Sequence, residues 1–354
     1  MRYLRFGVAA LAAAILAACG GGGAGDQTPK VTYSSLVSFG DSLSDVGTYK
    51  VGTVAALGGG QYTINGPVGK NWIELMASTL KQTAPCAAMT GLDGDPMQGF
   101  SVPATNNPNC RAYGQGGSRV TNPVGPGNKV LGGGNAVLGQ LTVPVITQMQ
   151  NHLAAVGGTY TGNEIVFTLA GGNDVFLNLG AVAAGGATPT QAVTAMGVAG
   201  AELAGYIKAL VLGRGAKRVV AVNLPDVSKT PFGYSFDAQT QGLILLMSTT
   251  FNDQLKAGLA GTEANVLLVD AFTVSQAQAA NPAQYGLTNV TIPACDLSPA
   301  KNPLGSSLVC TSNNLIAGGP VDKYQFADGV HPTPYGYQLL AQLVSSEMAK
   351  KGWL

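Results

Sequence analysis

Two short strand-like runs in this chain stop at glycine-containing polar turns. Residues 34–39 (Ser-Ser-Leu-Val-Ser-Phe) lead into Gly40-Asp41-Ser42-Leu43, and residues 164–169 (Glu-Ile-Val-Phe-Thr-Leu) lead into Ala170-Gly171-Gly172-Asn173-Asp174. Runs this short, cut off by glycine, read as buried strands. Two more follow, 218–223, stopped by Pro225, and 265–269, ending at Asp270. Helical spacing is found at 72–80, 141–156, 192–212, 238–259 and 334–350, the last opened by Pro332 and Pro334. Strands alternating with helices predict an α/β fold, a parallel sheet with helices on both faces. Sites in open sheets of this kind gather at the carboxyl ends of the strands. Ser42 and Asn173 are therefore expected to share one crevice.

Residues 85–134 and 282–320 are rich in Gly, Pro and Asn and lack periodicity. They read as loops long enough to shape the mouth of a site. The chain has 354 residues, 46% hydrophobic and only 10% charged, which suits one large domain. A net charge of +1 offers no field for nucleic acid or for a cationic partner. Its 50 glycines follow no period, which excludes collagen and simple repeats.

The N-terminus reads as an export signal. Arg2 and Arg5 precede an apolar run at 6–16, too short to span a membrane comfortably, and then comes Leu16-Ala17-Ala18-Cys19. This last stretch resembles a bacterial lipobox. It predicts a lipoprotein-type signal at 1–18, lipid attachment at Cys19, a flexible tether at 19–33 and a single domain at 34–354. An ordinary cleaved signal is the other reading. The expected location is the cell envelope, anchored by lipid to the outer membrane, or else periplasmic or secreted. No further long apolar segment is expected. Four of the five cysteines remain after Cys19, an even number that suits disulfides in an exported chain. Proximity in sequence favours Cys86–Cys110 and Cys295–Cys310, although three connectivities are open. With two histidines and no Cys-x-x-Cys, a zinc site is not expected.

Several residues carry candidate chemistry. Ser42 sits on a sharp turn after a strand, where its hydroxyl is exposed and nearby backbone N–H groups, its own included, can face a developing oxyanion. The competing reading is that Asp41 or Ser42 merely caps a turn or helix. Of the two histidines, His152 lies in a helix with no carboxylate near in sequence. His331 follows Asp328 by three residues, a spacing that lets a carboxylate orient an imidazole acting as base. Asn173 offers a side-chain N–H to an oxyanion, although Gly-Gly-Asn-Asp also suits a plain turn and Asp174 a helix cap. Gly116-Gly117 is the weakest of these signals in so glycine-rich a chain.

Residues 38–47 (Ser-Phe-Gly-Asp-Ser-Leu-Ser-Asp-Val-Gly), Gly171-Gly172-Asn173-Asp174, Asp328-x-x-His331-Pro332 and 223–231 (Asn-Leu-Pro-Asp-Val-Ser-Lys-Thr-Pro) together resemble the blocks of the GDSL family of lipases and esterases, the SGNH hydrolases. The resemblance runs from about residue 38 to the C-terminal helix. It implies a three-layer, flavodoxin-like fold and a serine carboxylic ester hydrolase without metal or cofactor. Ser42 matches the nucleophile, His331 the base, Asp328 its orienter and Asn173 the side-chain oxyanion donor, with the Ser42 N–H as a further donor. The glycine block departs from the family pattern, because Ala112 stands where an asparagine is usual. Counting from Tyr113 favours Gly117 as the backbone donor, with Gly116 as the alternative. The implied substrate is an ester or lipid, as for a lipase or lysophospholipase, with acyl-chain length set by the loops at 85–134 and 282–320. Acyl transfer, carbohydrate deacetylation and a non-catalytic envelope lipoprotein are the competing functions. The Gly-x-Ser-x-Gly elbow of α/β-hydrolases is absent at Ser42. A C-terminal membrane barrel, carried by some family members, is not expected, and oligomeric state is left open.

Overall fold

The computed structural model describes residues 29–354. The signal at 1–18, Cys19 and most of the tether lie outside the described residues. In chain order the elements are β1 (Leu36–Gly40), α1 (Gly52–Ala56), α2 (Trp72–Thr79), β2 (Met89–Asp93), β3 (Ser101–Asn106), α3 (Gly133–Leu138), α4 (Val145–Ala155), β4 (Ile165–Leu169), α5 (Gly172–Ala183), α6 (Pro189–Tyr206), β5 (Val219–Val222), α7 (Pro231–Tyr234), α8 (Ala238–Leu259), β6 (Val266–Val269), α9 (Ala271–Ala280) and α10 (Pro334–Lys350).

Strands β1, β4, β5 and β6 form one sheet in that order. All pairs are parallel, in a register that runs from Leu36 opposite Ile165 to Gly40 opposite Leu169. On the free side of β1 the chain returns as a strand fragment. The Tyr113 N–H donates to Ser38 O at 2.8 Å and the Ser38 N–H to Arg111 O at 3.1 Å. With this fragment counted second, the strands lie in the order 2-1-3-4-5 of flavodoxin-like folds, whose switch point falls between β1 and β4. Ala112 thus lies in a buried edge pairing with Ser38.

Successive strand residues point to opposite faces, and each face has its own core. Val37, Phe39, Val166, Val219 and Ala221 pack under Met149 of α4, Val175 of α5, Leu203 of α6 and Phe251 of α8. Leu36, Ile165, Phe167, Val220 and Val269 pack under Trp72 and Met76 of α2 and Tyr337 and Val344 of α10. Helices on both faces make the three layers. Capping fixes where several of them start. Asn71 and Glu74 form a capping box on α2, Thr188 and Gln191 one on α6, and Thr333 with Pro334 opens α10.

The expectation of no further long apolar segment needs correction. The helical run Pro189–Arg214 is long and apolar enough to cross a membrane by length and composition. Its buried residues Met196, Leu203 and Ala204 instead belong to the sheet's core, and it packs along α8. Residues 85–134 are also more than loop. They contain the antiparallel pair β2–β3, and with α1 they enclose a small third core of Tyr49, Val54, Tyr62, Leu92 and Phe100. Cys86 is joined to Cys110 and Cys295 to Cys310, with Cα atoms 5.1 and 6.1 Å apart.

Candidate active site

Strand β1 ends at Gly40, whose φ is +153°, and a Cβ there would lie 2.2 Å from Leu169 O at the end of β4. Only glycine lets the two strand ends come this close. Gln148 of α4 grips both polar groups of this residue, donating to Gly40 O at 2.8 Å and accepting from the Gly40 N–H at 2.9 Å. A short 3₁₀ turn, Ser42–Ser44, follows, with Asp41 Oδ1 accepting from the Leu43 N–H at 3.0 Å. Asp41 caps the turn, and the turn carries Ser42.

The Ser42 hydroxyl lies 2.8 Å from His331 Nε2. His331 Nδ1 lies 2.8 and 2.9 Å from the two carboxylate oxygens of Asp328. Asp328 is held in turn by the Val330 and His331 N–H groups at 3.0 and 2.9 Å, and by the Ser307 N–H at 2.8 Å. Burial pushes its carboxyl up, but the neighbouring His331 and these hydrogen bonds outweigh that and hold it well below the usual carboxylate range. A buried carboxylate that stays charged fixes the orientation of the His331 ring through Nδ1. Tyr62 covers one face of the imidazole, with ring centroids 4.6 Å apart.

Strand β4 delivers Asn173 to the first turn of α5. Its Nδ2 donates one hydrogen to Ser118 O at 2.8 Å, which fixes the amide and leaves its second hydrogen free to point elsewhere. The next residue, Asp174, receives Arg119 Nε at 2.8 Å and the Val120 N–H at 3.0 Å. Asn173 and Asp174 together clamp residues 118–120, directly after the glycine pair.

The glycine pair is sorted by its partners. The Gly116 N–H donates to Asp45 Oδ2 at 2.9 Å and is already satisfied. The Gly117 N–H has no partner among the described residues, and Gly117 lines a cleft together with Ser42, Asn173 and His331. Neither position tolerates a side chain. A Cβ on Gly116 would meet Tyr62 Oη at 2.0 Å, and on Gly117, at φ +79°, it would meet Pro126 O at 2.2 Å.

Two cavities open from Ser42. The outer cleft is lined by Leu57, Tyr62, Phe100, Gly117, Pro126 and Leu304. It draws on both long loops, as the sequence suggests. The inner pocket runs past Asp41 and Gly172 to Leu224, Val274, Leu339 and Leu343. Its walls are α9, α10 and the segment after β5, and of the two long loops only Val290 contributes. Among the chemistry-bearing residues, sequence reasoning missed Asp45, Gln148, Tyr62 and Ser307. Asp45 lies inside the 38–47 block, the only sequence signal that could have found it.

His152 stands apart from the site. It is buried in a nest of Phe39, Tyr113 and Tyr160, and burial, with Arg111 nearby, lowers its pKa to about 4.

Comparison with known proteins points the same way. A family model described as GDSL-like Lipase/Acylhydrolase matches residues 36–344. An uncharacterized protein from the trpE–trpG intergenic region of Pseudomonas putida is 27% identical over 333 residues, 89% of this chain and 48% of that protein. Esterase EstA of Pseudomonas aeruginosa is 33% identical over 138 residues, 37% of this chain and 20% of the esterase. The chain thus spans about half or less of the length of these curated relatives. Among solved structures, Est24, a carbohydrate acetylesterase from Sinorhizobium meliloti, aligns at 13% identity and a TM-score of 0.39 over 90% of this chain and 97% of that one. Similarity that low carries no weight for substrate.

Proposed function

The chain belongs to the GDSL-like lipase/acylhydrolase family, and from that premise we propose that it is a serine carboxylic ester hydrolase working through an acyl-enzyme on Ser42. The observation that carries this reading is the unbroken hydrogen-bond line from Ser42 Oγ through both nitrogens of His331 to Asp328, at 2.8 Å per step. Ser42 Oγ attacks the ester carbonyl while His331 Nε2 takes its proton, and Asp328 stabilises the resulting imidazolium. The oxyanion is received by the Ser42 N–H, the Gly117 N–H and the free hydrogen of the Asn173 amide. His331 then returns the proton to the leaving alcohol. Water, activated by the same nitrogen, cleaves the acyl-enzyme and restores Ser42.

Gly117 rather than Gly116 takes the backbone role, because Asp45 occupies the Gly116 N–H. The hydrolase unit is taken as 34–354. Two disulfides support an oxidising, exported setting, and the sequence around Cys19 supports a lipid anchor in the cell envelope.

The test compares wild type with Ser42→Ala on p-nitrophenyl esters, with labelling by a serine-directed organophosphonate. Hydrolysis and labelling are expected of wild type and lost in the variant. Equal hydrolysis by the two proteins would overturn the reading.

A further inference from the structure

The two cavities that meet at Ser42 differ in kind, and the reaction needs two kinds of space. Resting on the ester-hydrolase reading above, we propose that the inner pocket holds the acyl chain and the outer cleft holds the alcohol and then water. The substrates this fits best are esters of extended aliphatic acids rather than acetyl esters.

The first argument is chemical. The alcohol leaves, and water then attacks, from one and the same side of His331 Nε2, because each exchanges its proton with that atom. This side must be open to solvent while the acyl group stays bound to Ser42. The outer cleft is broad and open, and it includes the Gly117 side of the serine. The inner pocket is narrower and lined mainly by apolar side chains. An acyl chain held there keeps its place through both halves of the cycle without blocking water.

The second argument concerns side chains that the fold leaves unused. Val274, Val290, Phe326, Val330 and Leu339 are only half-buried, they belong to none of the hydrophobic cores, and all five face the inner pocket. Apolar surface left concave and uncovered beside a reactive serine suits an apolar ligand. Each methylene buried against it gains roughly threefold to fourfold in binding.

The wall also carries polar side chains, among them Asp226, Lys229, Ser275 and Gln325. Gln325 and Gln278 are bonded amide to amide at 3.3 Å, yet Gln325 Oε1 is buried without a partner. That oxygen is already shielded in the empty pocket, so Gln325 acts on a ligand only by making this part of the wall polar. Replacing it with an apolar group of similar size should favour longer chains.

The experiment measures kcat/KM for p-nitrophenyl acetate and octanoate. Wild type is expected to favour octanoate at least tenfold. Val274→Trp, which fills the inner pocket, should lower the octanoate-to-acetate ratio tenfold or more, and Gln325→Leu should raise it about threefold. Leu57→Trp, in the outer cleft, should change the ratio less than twofold. An unchanged ratio in Val274→Trp, or a shift as large in Leu57→Trp, overturns the assignment. If Val274→Trp does not fold, the Gln325→Leu ratio decides, since misfolding does not raise it, and no rise overturns the proposal. Equal hydrolysis by wild type and Ser42→Ala sinks the ester-hydrolase reading itself, a result distinct from all of these.

Discussion

The Asp45 carboxylate accepts the Gly116 N–H at 2.9 Å, across 71 residues of sequence. Its other oxygen takes the Gly47 and Thr48 N–H groups at 2.9 and 2.7 Å, so Asp45 stitches the turn that follows Ser42 to the glycine pair. With Gly116 held on one side and residues 118–120 clamped by Asn173 and Asp174 on the other, the orientation of the Gly117 peptide is set from both ends.

Asp45 is accordingly a positioning residue, and Asp45→Ala should lower kcat about 100-fold, the scale of one lost oxyanion donor. KM should move less than threefold, because Asp45 touches no substrate. Partial unfolding would also lower apparent kcat at constant KM, so the steady-state kinetics on one ester are read per folded molecule. A thermal melt on the same sample checks that the variant is folded.

Asn173→Ala should cost about 100- to 1,000-fold in kcat if the proposed mechanism holds, in which its amide is an oxyanion donor. It also leaves Ser118 O without its amide, a structural loss of about 1 kcal/mol. The two effects can be read separately, one by kinetics at saturating ester and the other by urea denaturation. A kcat within tenfold of wild type would remove Asn173 from the oxyanion hole.

Much of this site was legible because chemistry and fold share the same short words. A buried parallel strand has no polar side that must alternate, so 36–39 and 165–169 read as short strands, and Gly40, which ends the first, is forced by the close approach of Leu169 O at the end of β4. What was missed lacks such a pattern. The β3 strand Ser101–Asn106 is almost wholly exposed, so no apolar alternation marks it. The helix α9 Ala271–Ala280 is rich in Ala and Gln and has no apolar side, yet it walls the inner pocket. Gln148 reaches Gly40 from 108 residues away, and only the folded chain brings the two together.

The Cys295–Cys310 bridge closes a 15-residue separation around Ser307, whose N–H holds Asp328. The Cys86–Cys110 bridge ties the edge fragment beside β1 instead. Converting either pair to alanine should cost about 3 kcal/mol of stability by loop entropy. Only loss of Cys295–Cys310 should also lower kcat, at least tenfold, by loosening Asp328. Melting curves and kinetics on the two double variants check both halves of this expectation.

Asp41 gives the protein a pH-dependent weakness next to Ser42. Burial raises its carboxyl to about 7, with Asp174 adding to the rise and the Leu43 N–H and His331 opposing it. The folded state thus holds the Asp41 proton more tightly than the unfolded chain does. That preference stabilises the fold fully below about pH 4, the unfolded value, and is lost as pH rises through 7. Each pH unit between the two values is worth about 1.4 kcal/mol, which makes the total a few kcal/mol. Asp45, raised by burial to about 6, acts in the same direction. Asp41→Asn keeps an oxygen for the Leu43 N–H but carries no charge at any pH. Its melting temperature should therefore exceed that of wild type at pH 8 by several degrees more than at pH 5. A difference between the two proteins that stays constant from pH 5 to 8 would mean that the Asp41 carboxyl is ionised across that range.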